Sequence, residues 1–224
     1  RLQDLAGRKQ TILNTIEEQG KLTPELQQRI DACWNATELE DIYLPYKPHR
    51  KTRADIAIER GLEPLAKQLM AQKNGDVHSL AKPYINKEVL SDDDALQGAR
   101  DIIAQWISEN ERARNAVRRE FGYTAILTTK AVKTKSDSPE AQNYKDYFAV
   151  SEPLKRISSH RLLAIRRAEK EGFIRVDISP DHKKCLDKLA NLFLHSRNDA
   201  AYQVELAMED SYKRLLKPSI ESEY

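Results

Sequence analysis

The sequence predicts a mainly α fold, an irregular multi-helix assembly with at most a small strand pairing. Three observations carry this expectation. Glycine is scarce, 7 in 224 residues, while Ala, Leu, Glu, Lys, Arg and Gln are abundant, which favours helix over sheet. Apolar residues recur at helical spacing through most of the chain. Strand-like character is confined to two short stretches, Tyr123–Thr129, rich in β-branched residues, and Phe173–Ile178, which alternates. Hydrophobic residues at 40% describe a chain with a core and not a disordered one, despite 32% charged residues.

The elements follow in order. Leu2, Leu5, Ile12 and Ile16 share a helical face, interrupted by Lys9, and Gly20 is a good helix stop. The chain starts inside this rhythm with no Met and no cap, which reads as a piece of a longer protein. Thr23-Pro24 reads as N-cap and first residue of a second helix, reaching about Trp34. Thr37 is expected to cap a third helix over Glu38–Tyr43, which Pro45 and Pro48 break. Helices resume over Ala54–Arg60, Glu63–Gln72 and Val77–Lys82. Ser91 before Asp92, Asp93 and Asp94 is a strong helix start, a cap with acids at the positive end of the dipole. The long helix that follows carries Ala95, Ala99, Ile102, Ile103 and Trp106, and a further one runs from about Glu109 to Glu120, ending at Gly122. Later helices are expected over Ala141–Phe148, over Glu152–Glu171, from the Ser179-Pro180-Asp181 cap to about His195, and after Asn198. A boundary near Thr124 divides a helical region, 1–123, from a mixed, mostly helical region, 124–224.

Several function classes find no support. Cys33 and Cys185 cannot form a disulfide framework and read as buried or incidental thiols. No apolar run approaches the ~20 residues of a membrane helix, no signal peptide opens the chain, and a cytoplasmic location is the default. None of the five histidines pairs with another at the i, i+4 spacing of a helical zinc site. His182 and Cys185 are i, i+3, which is half a site at most. The Asp92–Asp94 run could suggest a metal cluster, but dipole stabilisation explains it better. There is no nucleophile elbow, no Walker loop and no Gly-x-Gly-x-x-Gly, so no catalytic residue, metal site or cofactor is assigned.

The basic segments remain. Net charge is only +2, so any basic patch is local. Lys47, His49, Arg50, Lys51 and Arg53 crowd one Pro-restrained loop beside Tyr43 and Tyr46. Arg112, Arg114, Arg118 and Arg119 lie on one helix, opposed by Glu109, Glu111 and Glu120. Lys155, Arg156, Arg161, Arg166 and Arg167 lie on another stretch with no acid between Lys155 and Arg167. Such clusters bind phosphates, or else form solvated faces and internal ion pairs. The candidates for nucleic-acid contact are Lys47, Arg50, Lys51, Arg53, Arg161, Arg166 and Arg167.

Several stretches resemble one family. They are Ile12–Thr23, Thr37–Lys47 followed by Arg50–Arg53, Gly61–Ala66, Ala95–Ile103, Lys145–Phe148 with Glu152–Leu154, and Ser158–Arg167 with Glu171-Gly172. In order and spacing they are similar to the N-terminal region of the bacterial Tex proteins. The resemblance implies a transcription accessory protein, related in architecture to a eukaryotic elongation factor. It implies a helical N-terminal region with a helix-turn-helix-like part, followed in the family by YqgF-type (RuvC-like), helix-hairpin-helix and OB-fold domains. On this reading the chain is a non-catalytic scaffold whose protein makes its main RNA or DNA contacts through the absent OB-fold domain. A protein-interaction module docking on RNA polymerase and a part of a nuclease-related protein are the alternatives. Tyr43-Leu44-Pro45-Tyr46 and Gly98 have packing readings as well, an aromatic helix end and a close helix approach.

Overall fold

The computed structural model describes residues 1–224 and is mainly helical, with twelve α-helices and one three-stranded sheet. No helix is long and apolar enough to cross a membrane. The chain divides into two compact units, Arg1–Arg114 with Leu194–Ala207, and Asn115–Phe193 with Met208–Tyr224.

In the first unit, α1 (Leu2–Glu18), α2 (Pro24–Ala32) and α3 (Ala36–Tyr43) enclose a cluster of Ile12, Ile16, Leu26, Ile30, Leu39, Ile42 and Tyr43. Burying each such side chain stabilises by about 1.5–3 kcal/mol. Thr23 caps α2 by accepting from Leu26 N, and Pro24 occupies its first turn, as the spacing predicts. The cap of α3 differs: Asn35, not Thr37, accepts from Glu38 N at 2.9 Å. The earlier start also gives Leu39 a full turn of helix behind it. α2 stops at Ala32, two residues short of Trp34, where Cys33 turns extended. Lys9 does not break the apolar face of α1 but joins it, 6% exposed, with Nζ donating to Asp31 O at 2.7 Å.

Further along, α4 (Arg53–Glu59), α5 (Glu63–Met70) and α6 (Val77–Ala81) pack on α7 (Asp92–Glu109). Ser91 accepts from Asp94 N, so the cap and the three acids sit as the sequence predicts. Gly98 explains the closeness of this packing, because a Cβ there would collide with the Leu62 side chain and lie 3.4 Å from Ala57 Cβ. The next helix, α8 (Glu111–Thr124), continues through Gly122 instead of ending there, and the division between the units falls inside it.

The second unit holds the sheet, with β1 (Ile126–Ala131) flanked antiparallel by β2 (Ser151–Pro153) and β3 (Ile174–Ser179) in the order β2-β1-β3. Leu127 faces Ile178 and Thr129 faces Val176. The β1–β3 pairing is the one the two strand-like stretches predict. β2 falls where a helix from Glu152 is expected. Pro153 cannot donate to a ladder, and it is tolerated because β2 is an edge strand. The helix, α9 (Ser159–Lys170), starts seven residues later with Ser158 as its cap. The helix expected over Ala141–Phe148 is a 3₁₀ segment, Glu140–Tyr147. α10 (His182–Phe193) follows in this unit; α11 (Asp199–Ser211) lies in the first unit as far as Ala207, and a π-helical turn, Tyr212–Leu216, joins it to α12 (Lys217–Glu221). Ile165, Ile178, Leu189, Leu216 and Ile220 are fully buried in this unit.

Candidate functional site

The basic loop at 47–53 is built from α3 outward. Leu39, Ile42 and Tyr43 anchor α3 in the core. Asp41, on the same helix, accepts from Arg114 Nε at 2.8 Å, both residues being buried. Glu40 takes both arms of Arg8, Nε at 2.7 Å and Nη2 at 3.0 Å, and the guanidinium lies 5.3 Å from the Tyr43 ring centre. The Arg8 hydrogen bond holds the Glu40 carboxyl below its ordinary pKa. Leu44–Tyr46 then turns as 3₁₀ helix around Pro45, and Lys47 N closes on Tyr43 O at 3.0 Å. Gln19 Nε2 donates to Tyr46 O at 2.7 Å, which ties the turn to the end of α1.

The far side of the loop is held as firmly. Thr52 and Asp55 form a reciprocal capping box, Asp55 N to Thr52 Oγ1 at 3.1 Å and Thr52 N to Asp55 Oδ2 at 2.9 Å. His49 places Nδ1 2.9 Å from Lys47 O and Nε2 3.1 Å from Asp55 Oδ2. Both partners accept, so the doubly protonated ring satisfies both. The Lys47 carbonyl, then Asp55, raise the His49 pKa above its ordinary value. The Thr52 N–H, then His49, lower that of Asp55. Glu109, half-buried on α7, faces the same pair, and its burial pushes its own pKa up.

This clamped backbone carries Lys47, Arg50, Lys51 and Arg53, all exposed. Lys51 pairs with Glu59 at 2.6 Å across open surface. Lys47 acts on Glu40 only through space. Arg50 and Arg53 make no ion pair.

The three candidates on α9 are arranged differently. Arg161 pairs with Glu152 of β2. Arg166 donates to Glu169 at 2.8 Å and to Glu221 O at 3.3 Å. Arg167 is exposed, with no ion pair. Five residues of helix separate Arg161 from Arg166 by about 140° around the axis. The loop therefore gathers its four candidates, and α9 does not set its three on one face. The partners that decide this, Gln19, Asp41, Glu109 and Arg114, carried no local signal. The Thr52-x-x-Asp55 capping pattern did.

A sequence profile described as Tex central region-like matches residues 72–217, more than half of the chain. The chain belongs to the Tex family. The uncharacterized protein YdcI of Bacillus subtilis is 36% identical over 99% of the chain and 31% of its own length. The transcriptional accessory protein Tex of Neisseria gonorrhoeae is 40% identical over 78% of the chain and 23% of its own length. Protein tex of Bordetella pertussis is 43% identical over 75% of the chain and 21% of its own length. The chain thus spans less than a third of these Tex-family relatives.

Other chemistry-bearing groups of this Tex-family chain have internal uses. In the second unit, His182 Nδ1 contacts Tyr212 Oη, and burial pushes the Cys185 thiol up to about 11. In the first unit, His78 lies 2.8 Å from Asp92 and 3.9 Å from Asp93, a grouping the sequence did not suggest. Their ligand atoms fall within 4.8 Å of one another at the open surface. His78 there adds a hydrogen-bond partner to Asp92, one of the acids that stabilise the start of α7.

Proposed function

We propose that this chain is the helical scaffold region of a cytoplasmic transcription accessory protein, without catalysis of its own, and that loop 47–53 adds contacts to nucleic-acid phosphates. The observation that carries the contact role is the clamped loop itself. Its backbone is held by Gln19, by His49 and by the capping box, while Arg50 and Arg53 stand exposed and unpaired. Cations on a pre-set loop lose little entropy on meeting a phosphate. Lys51 joins them, since an exposed pair such as Lys51–Glu59 gives up little when broken. On α9, Arg161 and Arg166 are occupied and Arg167 is the one available. The names of the Neisseria and Bordetella relatives support the transcription setting. The main nucleic-acid contacts of the whole protein belong, in this proposal, to domains outside the chain.

The test is a titration of the 224-residue chain with single- and double-stranded DNA and RNA at two salt concentrations. Binding should weaken with salt, and Arg50→Ala should lower the slope of log affinity against log salt by about 0.7 to 0.9, one phosphate contact. Absence of salt-sensitive binding removes the contact role and leaves the scaffold role standing.

A further inference from the structure

We infer that His49 is a proton-sensing positioning residue: its charged ring sets loop 47–53 for phosphate, and loss of one ring proton unties the loop and weakens nucleic-acid binding. The inference rests on the nucleic-acid reading above and adds its regulation. The imidazole bridges the two ends of the loop, with Nδ1 2.9 Å from Lys47 O and Nε2 3.1 Å from Asp55 Oδ2 on the first turn of α4. Neither partner donates back. Lys47 offers a carbonyl. Asp55 Oδ2 already accepts from Thr52 N at 2.9 Å, and that N–H, then His49, keeps the carboxylate ionised. A neutral imidazole keeps one N–H and turns a lone pair toward the other acceptor, so it holds Lys47 or Asp55 but not both. The bridge spans the stretch between the Tyr46 carbonyl, held by Gln19, and the capping box at Thr52, which is where Lys47, Arg50 and Lys51 lie.

The charges around the ring couple its proton to the ligand. Two acids face it from the packed elements, Asp55 from α4 and Glu109 from α7, and both favour the charged form. On the loop itself Lys47, Arg50, Lys51 and Arg53 oppose it, as like charges do. A phosphate seated among those four cations offsets that opposition and brings negative charge toward the ring. Proton and nucleic acid therefore favour each other, and by linkage each raises the other's affinity by the same factor. The His49 side chain is 43% exposed, so its proton exchanges with solvent without unfolding of the loop. The same exposure screens the charges, which sets the coupling at about fivefold, the low end of the usual range.

The probe is a dye-labelled oligothymidylate of about ten nucleotides, which has no group that titrates between about pH 5 and 8, where histidine changes charge. Its affinity for the 224-residue chain, read by anisotropy at fixed salt, should fall about fivefold as pH rises through the His49 pKa. His49→Gln should bind with the weaker, high-pH affinity throughout and show no step. Glu109→Gln should keep the step and move its midpoint down, because one of the two acids facing the ring is gone. Ring-proton NMR of the unaltered chain needs no variant to fold. One of the five histidine signals should titrate with a pKa higher by about 0.7 when the oligonucleotide is bound, the logarithm of fivefold. Affinity flat with pH, a step that survives His49→Gln, a step abolished by Glu109→Gln, or no histidine pKa moved by the oligonucleotide overturns the inference and leaves the phosphate contacts intact. No binding at any pH overturns both.

Discussion

Replacing Asp41 with alanine removes the acid from a buried ion pair. Arg114 is 6% exposed and Asp41 4%, and their charged atoms meet at 2.8 Å. Arg114 also donates to Ser108 O at 3.3 Å. Loss of one partner from a buried pair costs about 3–5 kcal/mol, mostly the penalty for leaving the other charge uncompensated. Set against a typical domain stability of about 5–15 kcal/mol, this is a large fraction. Urea unfolding followed by tryptophan fluorescence reads the right unit, because Trp34 and Trp106 both fall within Arg1–Arg114. The midpoint should drop sharply for Asp41→Ala. Adding Arg114→Met to Asp41→Ala removes the buried charge that has lost its Asp41 partner and fills the space with apolar volume, so the double variant should be more stable than the single. A cost below about 1 kcal/mol for Asp41→Ala, or a double variant no better than the single, would refute the assignment of this pair as the anchor of α3.

The loop clamp should depend on pH. His49 is raised from 6.5, so its contribution is whole below the unfolded pKa and is lost as pH rises through the higher folded value. Asp55 is lowered from 3.8, so its contribution is whole above that value and is lost as pH falls through the lower folded one. Amide-exchange protection of residues 47–53, corrected for intrinsic rates, should therefore fall as pH rises past the His49 pKa, and His49→Gln should abolish that step. A step that survives His49→Gln places the titration elsewhere, with Glu109 the next group to test. At the close helix approach, Gly98→Ala should destabilise by about 1–2 kcal/mol in thermal unfolding, because overpacking against Leu62 outweighs the gain in helix propensity. Leu62→Val in the same chain should recover part of that loss, and a stabilising Gly98→Ala would show that Leu62 moves freely.

Much of the fold was legible because its signals are local. Ser91 with Asp92–Asp94, and Thr23-Pro24, name helix starts within four residues of chain. The β1–β3 pairing follows from two stretches of strand character. β2 was not legible, because three residues ending in proline carry no periodicity and take their conformation from β1. Asn35 and Thr37 are both good caps, and nothing local chooses between them. The site was legible only as composition. The cations of loop 47–53 are visible in sequence, but their setting depends on partners far along the chain. Arg8 meets Glu40 across 32 residues, and Arg114 meets Asp41 across 73. The same holds for Arg166 and Glu221, which look unrelated in sequence.

This difference between cations present and cations available has a measurable consequence. The chain carries 37 basic and 35 acidic side chains, so no long-range field favours a polyanion. Attraction must come from the cations whose acids are missing or weakly held. If loop 47–53 alone contributes, its four cations set a salt slope of about −3 for a single strand. If Arg161, Arg166 and Arg167 were equally available, seven contacts would give about −5. Because Arg161 and Arg166 already hold Glu152, Glu169 and the Glu221 carbonyl, each phosphate contact they made would first break an internal one. The slope should therefore lie near the smaller value. Arg161→Ala should leave it unchanged, and Arg53→Ala should lower it.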